Sequence, residues 1–341
     1  MANSRVGALV SVVVLVWAMS SLNMAEANYN LSADFYAKSC PQYEQIIYSY
    51  VNKLYNSPKN NTVISMIRWA FHDFVNGADA SFLLRSDNFP SNTSEKDSIS
   101  QVGMRNSKYV NDIKVVVDSY CPGVISCADT LAVAGAAAVQ IMGGPTIPLK
   151  VGRRDSRISL KSSADLIPRS NATVDQLLAF FTPLGLTTAE AVAMMGGHSV
   201  GRAHCVSFWK RLYPTADPHL TATFAAKLYD RCPKIQPTPG NPNPLNVTNP
   251  IHYTYIRNDP YSPLTMDNHY YQELLKRHGV MTVDDNLIWD NRTLPYVQLY
   301  AQDANVWKKT FMGAYQKLSE FKVLTGTQGE IRKKCTLLNK I

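Results

Sequence analysis

The chain has few long apolar runs. Beyond the first 27 residues only Leu131 to Met142 qualifies, and it is too short to cross a bilayer and ends at Gly143-Gly144. Internal repeats and low-complexity linkers are also missing, which argues against an array or a string of small domains. None of the six cysteines shows the short paired spacing of a zinc site. No basic helix or aromatic-basic cluster accompanies the net charge of +8 and pI of about 9.1, so that balance suits an acidic polysaccharide better than nucleic acid. His72-Asp73 has no second His-Asp pair, which removes a metal phosphohydrolase reading.

What is there begins with a leader. Residues 1–27 carry Arg5, the apolar stretch Val6 to Trp17 and then Ala25-Glu26-Ala27, the small-x-small form a signal peptidase accepts. Cleavage would start the mature domain at Asn28, and because Arg5 and Glu26 leave together the net charge survives. Six Asn-x-Ser/Thr acceptors, at Asn30, Asn60, Asn92, Asn171, Asn246 and Asn291, fit an exported glycoprotein without a membrane anchor. Cys40, Cys121, Cys127, Cys205, Cys232 and Cys335 all lie in the mature part, and an even count in an oxidising compartment predicts three disulfides. Spacing alone leaves all fifteen pairings open.

About 314 residues remain after the leader, enough for one large domain, 28–341, in two halves. Helical periodicity predicts helices over Tyr43 to Tyr55, Asn61 to His72, Ser107 to Ser119, Ala128 to Met142, Val174 to Leu184, Thr188 to Met195 and Asn305 to Phe321. Pro122-Gly123, Gly143-Gly144-Pro145 and Pro183 to Gly185 supply stops; Thr188 with Glu190 and Asp175 with Gln176 look like starts. Six prolines between Pro233 and Asn258 predict an irregular surface excursion.

Two segments carry chemistry. In the run from Arg68 to Ser81, helical spacing sets Arg68 and His72 one turn apart on one face, an imidazole to move a proton and a guanidinium to stabilise negative charge. Alone, such a pair is more often a helix-end histidine beside a surface cation. In Met194-Met195-Gly196-Gly197-His198-Ser199, an apolar helix runs into two glycines, which let a flat, bulky group approach the backbone, and then into a histidine able to ligate haem iron. Alone, that too is a glycine terminus with a capping histidine.

Together these segments resemble the distal and proximal sides of the class III, or plant secretory, haem peroxidases. Further matches run in order: Phe35-Tyr36, Ser39-Cys40-Pro41, Glu95-Lys96-Asp97, Ser126 to Asp129, Val151 to Asp155, Met266 to Tyr271 and Leu324 to Arg332. The resemblance implies an all-α haem peroxidase bundle whose distal half (about 28–165) and proximal half (about 166–341) enclose haem b. It implies that His72 takes a proton from hydrogen peroxide and returns it to the leaving oxygen, with Arg68 stabilising the charge. His198 would be the axial haem ligand, Asp284 its hydrogen-bonded carboxylate and Phe71 the distal aromatic. Gln101 would accept the His72 ring N–H, and Pro168 would mark the entrance for phenolic donors. It also implies two calcium sites, one from Asp73, Val75, Gly77, Asp79, Ser81 and Glu95, the other from Ser199, Asp259, Ser262, Thr265 and Asp267, and the pairings Cys40–Cys121, Cys127–Cys335 and Cys205–Cys232.

The chain departs from the pattern in places. Both cysteines of the family's short distal loop are missing, the second replaced by Ala78, and one residue is deleted between Asp73 and Asp79. Closure of the long Cys127–Cys335 loop would be worth on the order of 4–5 kcal/mol in the chain-entropy model, so the loss is local. Gln101 stands where Asn is usual, Ser199 and Ser262 where Thr is commoner, Val206 and Ser207 replace Arg and Phe, and Asn171, a sequon, borders Pro168. The implied function is an exported, cell-wall or apoplastic monomer that reduces hydrogen peroxide and oxidises small phenols. The alternative is a catalytically weakened wall glycoprotein that binds calcium or acidic polysaccharide. Keeping Arg68, His72, His198 and Asp284 favours the enzyme.

Overall fold

Alternation of buried and solvent-facing positions at helical spacing starts at α1 (Tyr43–Tyr55), which buries Tyr43, Ile47, Val51 and Leu54, and continues in α2 (Asn61–Phe74) and α3 (Lys108–Tyr120). All three pack around α4 (Cys127–Ile141), whose alanine-rich sequence is buried from Cys127 to Val139. Ser126 starts α4 by accepting the Asp129 N–H at 2.9 Å. The computed structural model describes residues 31–101, 103–235 and 254–340; the expected leader and the sequons at Asn30 and Asn246 lie outside them.

After the short α5 (Lys161–Ala164) come α6 (Val174–Phe181) and α7 (Thr188–Met195), each opened by a reciprocal capping box, Thr173 with Gln176 and Thr187 with Glu190. Both caps fall before the positions expected from sequence, because the threonine that accepts the third N–H stands outside the helix it starts. The remaining helices are α8 (Ala222–Arg231), α9 (His269–Leu275), α10 (Thr282–Asp285), α11 (Leu294–Gln302) and α12 (Ala304–Ser319). α12 lies against α7, and α9 against α11. Phe74 of α2 meets Tyr315 of α12 edge to face at 4.9 Å, so one continuous apolar core joins the two groups of helices. The architecture is all-α, as expected. Among the described residues, the sole sheet is a ribbon of β1 (Ala203–His204) and antiparallel β2 (Tyr255–Ile256). β2 corrects the expectation of an irregular excursion through Asn258: pairing with β1 satisfies its backbone. Residues 236–253 of that excursion lie outside the described residues.

The sequence blocks from Ser126 to Asp129, Val151 to Asp155 and Leu324 to Arg332 meet at the start of α4. The buried Asp129 carboxylate accepts from Arg153 Nη1 (2.8 Å), Tyr36 Oη (2.7 Å) and the Gly152 N–H (2.8 Å). Asp155 accepts from the Ala128 and Arg332 N–H groups at 2.8 and 2.7 Å. Removing one partner of so buried a pair would strand the other charge, so these ties fix chain path more than they add stability. The disulfides are Cys40–Cys121, Cys127–Cys335 and Cys205–Cys232. The third anchors a satellite apolar cluster around Phe208, Leu212, Phe224 and Leu228. No single helix among the described residues is long and apolar enough to cross a membrane. The sequons at Asn92, Asn171 and Asn291 are exposed.

Gly135 lets α4 approach its neighbours: a Cβ there would sit 2.5 Å from Tyr315 Oη and 2.6 Å from Ala70 Cβ. Gly135→Ala is therefore expected to destabilise the protein by about 1–3 kcal/mol in a denaturant titration, despite alanine's better helix propensity. An unchanged midpoint would mean that the three helices have slack.

Candidate active site

α2 presents Arg68, Phe71 and His72 on the side away from its packing against α4. Arg68 Nε donates to His72 Nε2 at 3.2 Å, which leaves the ring proton on Nδ1. Arg68 Nη2 also donates to the Ser100 carbonyl at 3.1 Å. The side chain of Arg68 is reached by solvent, yet surrounding protein desolvates it and, with nearby Arg105, lowers its pKa to about 10. A group both wet and closely surrounded lines an interior cleft. Burial, then Arg68, then His198 push the His72 pKa well below 6.5, against an opposing effect of Gln101, so the imidazole is neutral at neutral pH. Gln101 is buried beside His72, but neither its amide atoms nor His72 Nδ1 makes a hydrogen bond of acceptable length and angle. The expected acceptor is in place and acts on the ring as a hydrogen-bonding partner, its geometry short of an ideal bond. Phe71 packs between His72 and Phe181, with ring centroids 5.9 and 6.0 Å away.

His198 arrives on one tight turn, Gly196–Ser199, that continues α7. Its Nδ1 lies 2.8 Å from Asp284 Oδ1, and Tyr270 Oη donates to the same oxygen at 2.8 Å. Asp284 is fully buried while the His198 side chain is 40% exposed, so the bond holds the ring by one edge and leaves Nε2 toward the cleft. The two glycines before it divide their work. A Cβ on Gly196 would lie 2.4 Å from Trp307 Nε1 and 2.5 Å from Tyr271 Oη, so its smallness serves packing behind the turn; a Cβ on Gly197 would meet nothing within 4 Å, which leaves the room expected for a flat group.

A strap ties the two sides. Ser100 Oγ donates to the Ile167 carbonyl at 3.4 Å and Ser98 Oγ to Asp165 at 2.6 Å. Two residues beyond half-buried Pro168, the Ser170 carbonyl accepts the Val283 N–H at 2.9 Å, next to Asp284. Orphaned buried atoms on His72 and Gln101, a half-exposed imidazole fixed at Nδ1 and open space over Gly197 all fit a planar ligand set between His72 and His198.

Two oxygen-rich clusters flank the cleft. Asp73, near the end of α2, and Glu95 are buried, with half-buried Asp79 beside them; burial raises all three pKa values, neighbouring carboxylates add to it at Asp73 and Glu95, and that of Glu95 reaches about 7. Asp73 Oδ1 has no partner, while Ser81 donates its N–H to Asp79. The loop linking them holds Gly77, Ala78 and Ala80 at φ +133°, +47° and +57°, the last two costly for alanine. Val75 and Gly77 stand on this loop. In the second cluster Ser262 Oγ lies 2.6 Å from both Asp259 Oδ2 and Asp267 Oδ2, with Thr265 in the same turn and buried Ser199 against Met266. His269, absent from the expected ligand set, brings Nδ1 within 3.4 Å of Asp267. Sequence reasoning also missed the role of Tyr270, although it lies inside a quoted motif, and missed Arg105.

An all-α bundle that sets an Arg–His pair opposite a carboxylate-held histidine has the layout of a haem peroxidase. The family model described as Peroxidase matches residues 47–303, and the chain belongs to that family, in its class III plant branch. It is similar to Peroxidase 42 of Arabidopsis thaliana (38% identical, 98% of each chain), Peroxidase 21 of the same plant (40% identical, 92% of each) and Peroxidase 5 of Vitis vinifera (36% identical, 95% of this chain and 97% of that one). The protein is a peroxidase, and the reading as a weakened wall glycoprotein is not favoured.

The lowered pKa of His72 has a consequence that needs no cofactor. The unfolded imidazole takes a proton near pH 6.5 while the folded one resists, so folding stability falls as pH drops through about 6.5. In thermal unfolding, His72→Gln is expected to lose less stability than wild type between pH 7 and pH 5. Equal losses would show that His72 protonates freely in the fold.

Proposed function

We propose that the protein is an exported haem b peroxidase in which Arg68 and His72 perform the proton chemistry and His198 holds the iron. The observation that carries this reading is the pairing of a neutral, buried His72, bonded to Arg68, with an opposed His198 fixed by Asp284. Haem b, when bound, supplies the iron that accepts two electrons' worth of oxidation from hydrogen peroxide and returns it in single-electron steps to phenolic donors.

The residues do the rest. His72 Nε2, unprotonated because it accepts from Arg68, takes a proton from hydrogen peroxide and delivers it to the departing oxygen, which leaves as water. Arg68 stabilises the negative charge that appears as the O–O bond breaks. Asp284 draws the His198 ring proton toward itself and gives the imidazole anionic character, and Tyr270 fixes that carboxylate in turn. A small rotation of Gln101 would bring its carbonyl onto the His72 Nδ1–H, orienting the ring. Pro168, on the strap, borders the donor entrance.

Calcium suits both oxygen clusters, being a hard cation that takes six to eight oxygens. Asp73, Val75, Gly77, Asp79, Ser81 and Glu95 would hold one ion despite the missing disulfide, since the three carboxyl pKa values stay raised although Arg332 acts on Asp73 and Asp79. Ser199, Asp259, Ser262, Thr265 and Asp267 would hold the other. Residues 1–27 fit a cleaved leader, the exposed sequons fit a secreted monomer, and the charge of +8 fits adhesion to acidic wall polysaccharide.

The test is to reconstitute residues 28–341 with haem and calcium and measure the Soret spectrum and peroxide-dependent phenol oxidation. His72→Ala should lower turnover about 10²–10⁴-fold with haem retained, and His198→Ala should lose the five-coordinate ferric spectrum. Equal turnover in wild type and His72→Ala would sink the assignment of the base. Chelation of calcium should lower Tm and release two ions per chain in an atomic-emission assay. Release of a single ion would mean that the shortened distal loop does not bind one.

A further inference from the structure

Two acids stand side by side at the end of α10 and serve different neighbours. Asp284 holds His198, whereas Asp285, 1% exposed, turns to side chains of the segment closed by the Cys205–Cys232 bridge. Its Oδ2 lies 3.0 Å from Arg211 Nη2 and 3.3 Å from His219 Nδ1, and accepts from Trp289 Nε1 at 3.1 Å. Oδ1 is buried without a partner, so the whole hold falls on one oxygen. Arg211, 3% exposed, spreads its remaining bonds: Nε donates to Asp217 Oδ2 at 2.8 Å, and Nη1 to the carbonyls of Gly279 and, at 3.3 Å, Val280. One guanidinium therefore holds both the chain entering α10 and the residue that ends it.

Asp217, His219 and Asp285 bring oxygen and nitrogen close enough for a metal ion, but Arg211 is paired with both carboxylates and already supplies the cation. His219 closes the group: its ring stacks on Trp289 at 4.3 Å, and its backbone N–H donates to Asp217 Oδ1 at 2.9 Å. A helix of four residues cannot fix its own position, because a single turn is unfavourable without packing. α10 depends on what holds its ends. Gly279 packs against it so closely that a Cβ would stand 2.8 Å from Asp285 Cα, and the Val283 N–H is bonded to the Ser170 carbonyl. Separating Asp285 from Arg211 would strand a buried charge. Successive helical residues project about 100° apart, so a rotation that freed Asp285 would also swing Asp284 off the His198 ring.

We infer that Asp285, held by Arg211, His219 and Trp289, is a positioning residue for His198: it sets the rotation of α10 and with it the strength of the His198–Asp284 hydrogen bond. Its bearing on catalysis rests on the peroxidase reading, in which His198 ligates iron; the bond it controls is present without any cofactor. A change at Trp289, which is 47% exposed, is then felt at a histidine in the cleft.

Trp289→Phe keeps the stack on His219 and removes the N–H that Asp285 accepts; Asp285→Asn keeps the shape and removes the charge. In the haem-loaded protein both should lower the iron–histidine stretching frequency of the ferrous state, raise the reduction potential and lower kcat, about tenfold for Asp285→Asn, with KM for a small phenol unchanged. Leu228→Ala opens a cavity in the neighbouring apolar cluster and serves as the control: it should lower Tm and leave frequency, potential and kcat as in wild type. An unchanged frequency in both variants, or an equal shift in Leu228→Ala, would overturn the inference. Should Asp285→Asn fail to fold, Trp289→Phe and His219→Gln decide the matter by the same measurements. The ring nitrogen resonances of His198 in haem-free protein give a readout independent of iron. Their movement in the variants, together with a wild type that shows no iron–histidine band, would uphold the positioning role and sink the ligand role given to His198.

Discussion

The buried carboxylate of Asp284 is the constraint on which the cleft depends. One oxygen accepts from both His198 and Tyr270, and the group is wholly out of water with no cation beside it. An uncompensated carboxylate at such a depth is costly, and sharing the imidazole proton reduces that cost. The ring is thereby locked in orientation and made electron-rich by the same interaction. α10 carries Asp284, the Val283 N–H beside it holds the strap that bears Pro168, and the strap's other end reaches Ser100, to which Arg68 is bonded. A shift at Asp284 would be felt across the cleft through these contacts.

Rigidity elsewhere allows polar atoms in the cleft to stay unsatisfied. His72 Nδ1 and the Gln101 amide would normally find partners or be replaced. They persist because α2 is pinned on α4 at Gly135 and on α12 through Phe74, and because Asp129–Arg153 and the Asp155 ties fix the chain entering and leaving α4. The lost short disulfide changes little of this frame, since the three remaining bridges tie other parts of the chain. Its effect falls on one loop, where Ala78 and Ala80 adopt left-handed backbone next to the carboxylates of Asp73, Asp79 and Glu95. The calcium proposed for this loop would offset both local costs.

Amphipathic periodicity made most long helices legible, from α1 to α12, because a helix that packs on one side writes its burial into residue spacing. It did not give α8, α9 or α11, whose boundaries follow from neighbours, nor β2, a strand of two residues that exists because β1 lies beside it. Arg68, His72, His198 and Asp284 were readable from motif, and all four are seen in direct hydrogen bonds, Arg68 to His72 and His198 to Asp284. Tyr270 and Arg105 were not, since each acts on residues of another element, nor was His269, whose contacts with Asp267 and Ser262 depend on how the turn between them folds.

The sequence by itself determined the helical class, the spacing of Arg68 and His72 on one turn, the even set of cysteines and the export-like leader, all of which depend on neighbours within a few residues. Tertiary structure alone decided that Gly196 serves Trp307 and Tyr271 while Gly197 faces open space, that Gln101 comes beside His72, and that Ala203 pairs with Ile256 and His204 with Tyr255. Those outcomes are set by which surfaces come together when the core closes, and packing at that distance leaves no period in the chain for a reader to find.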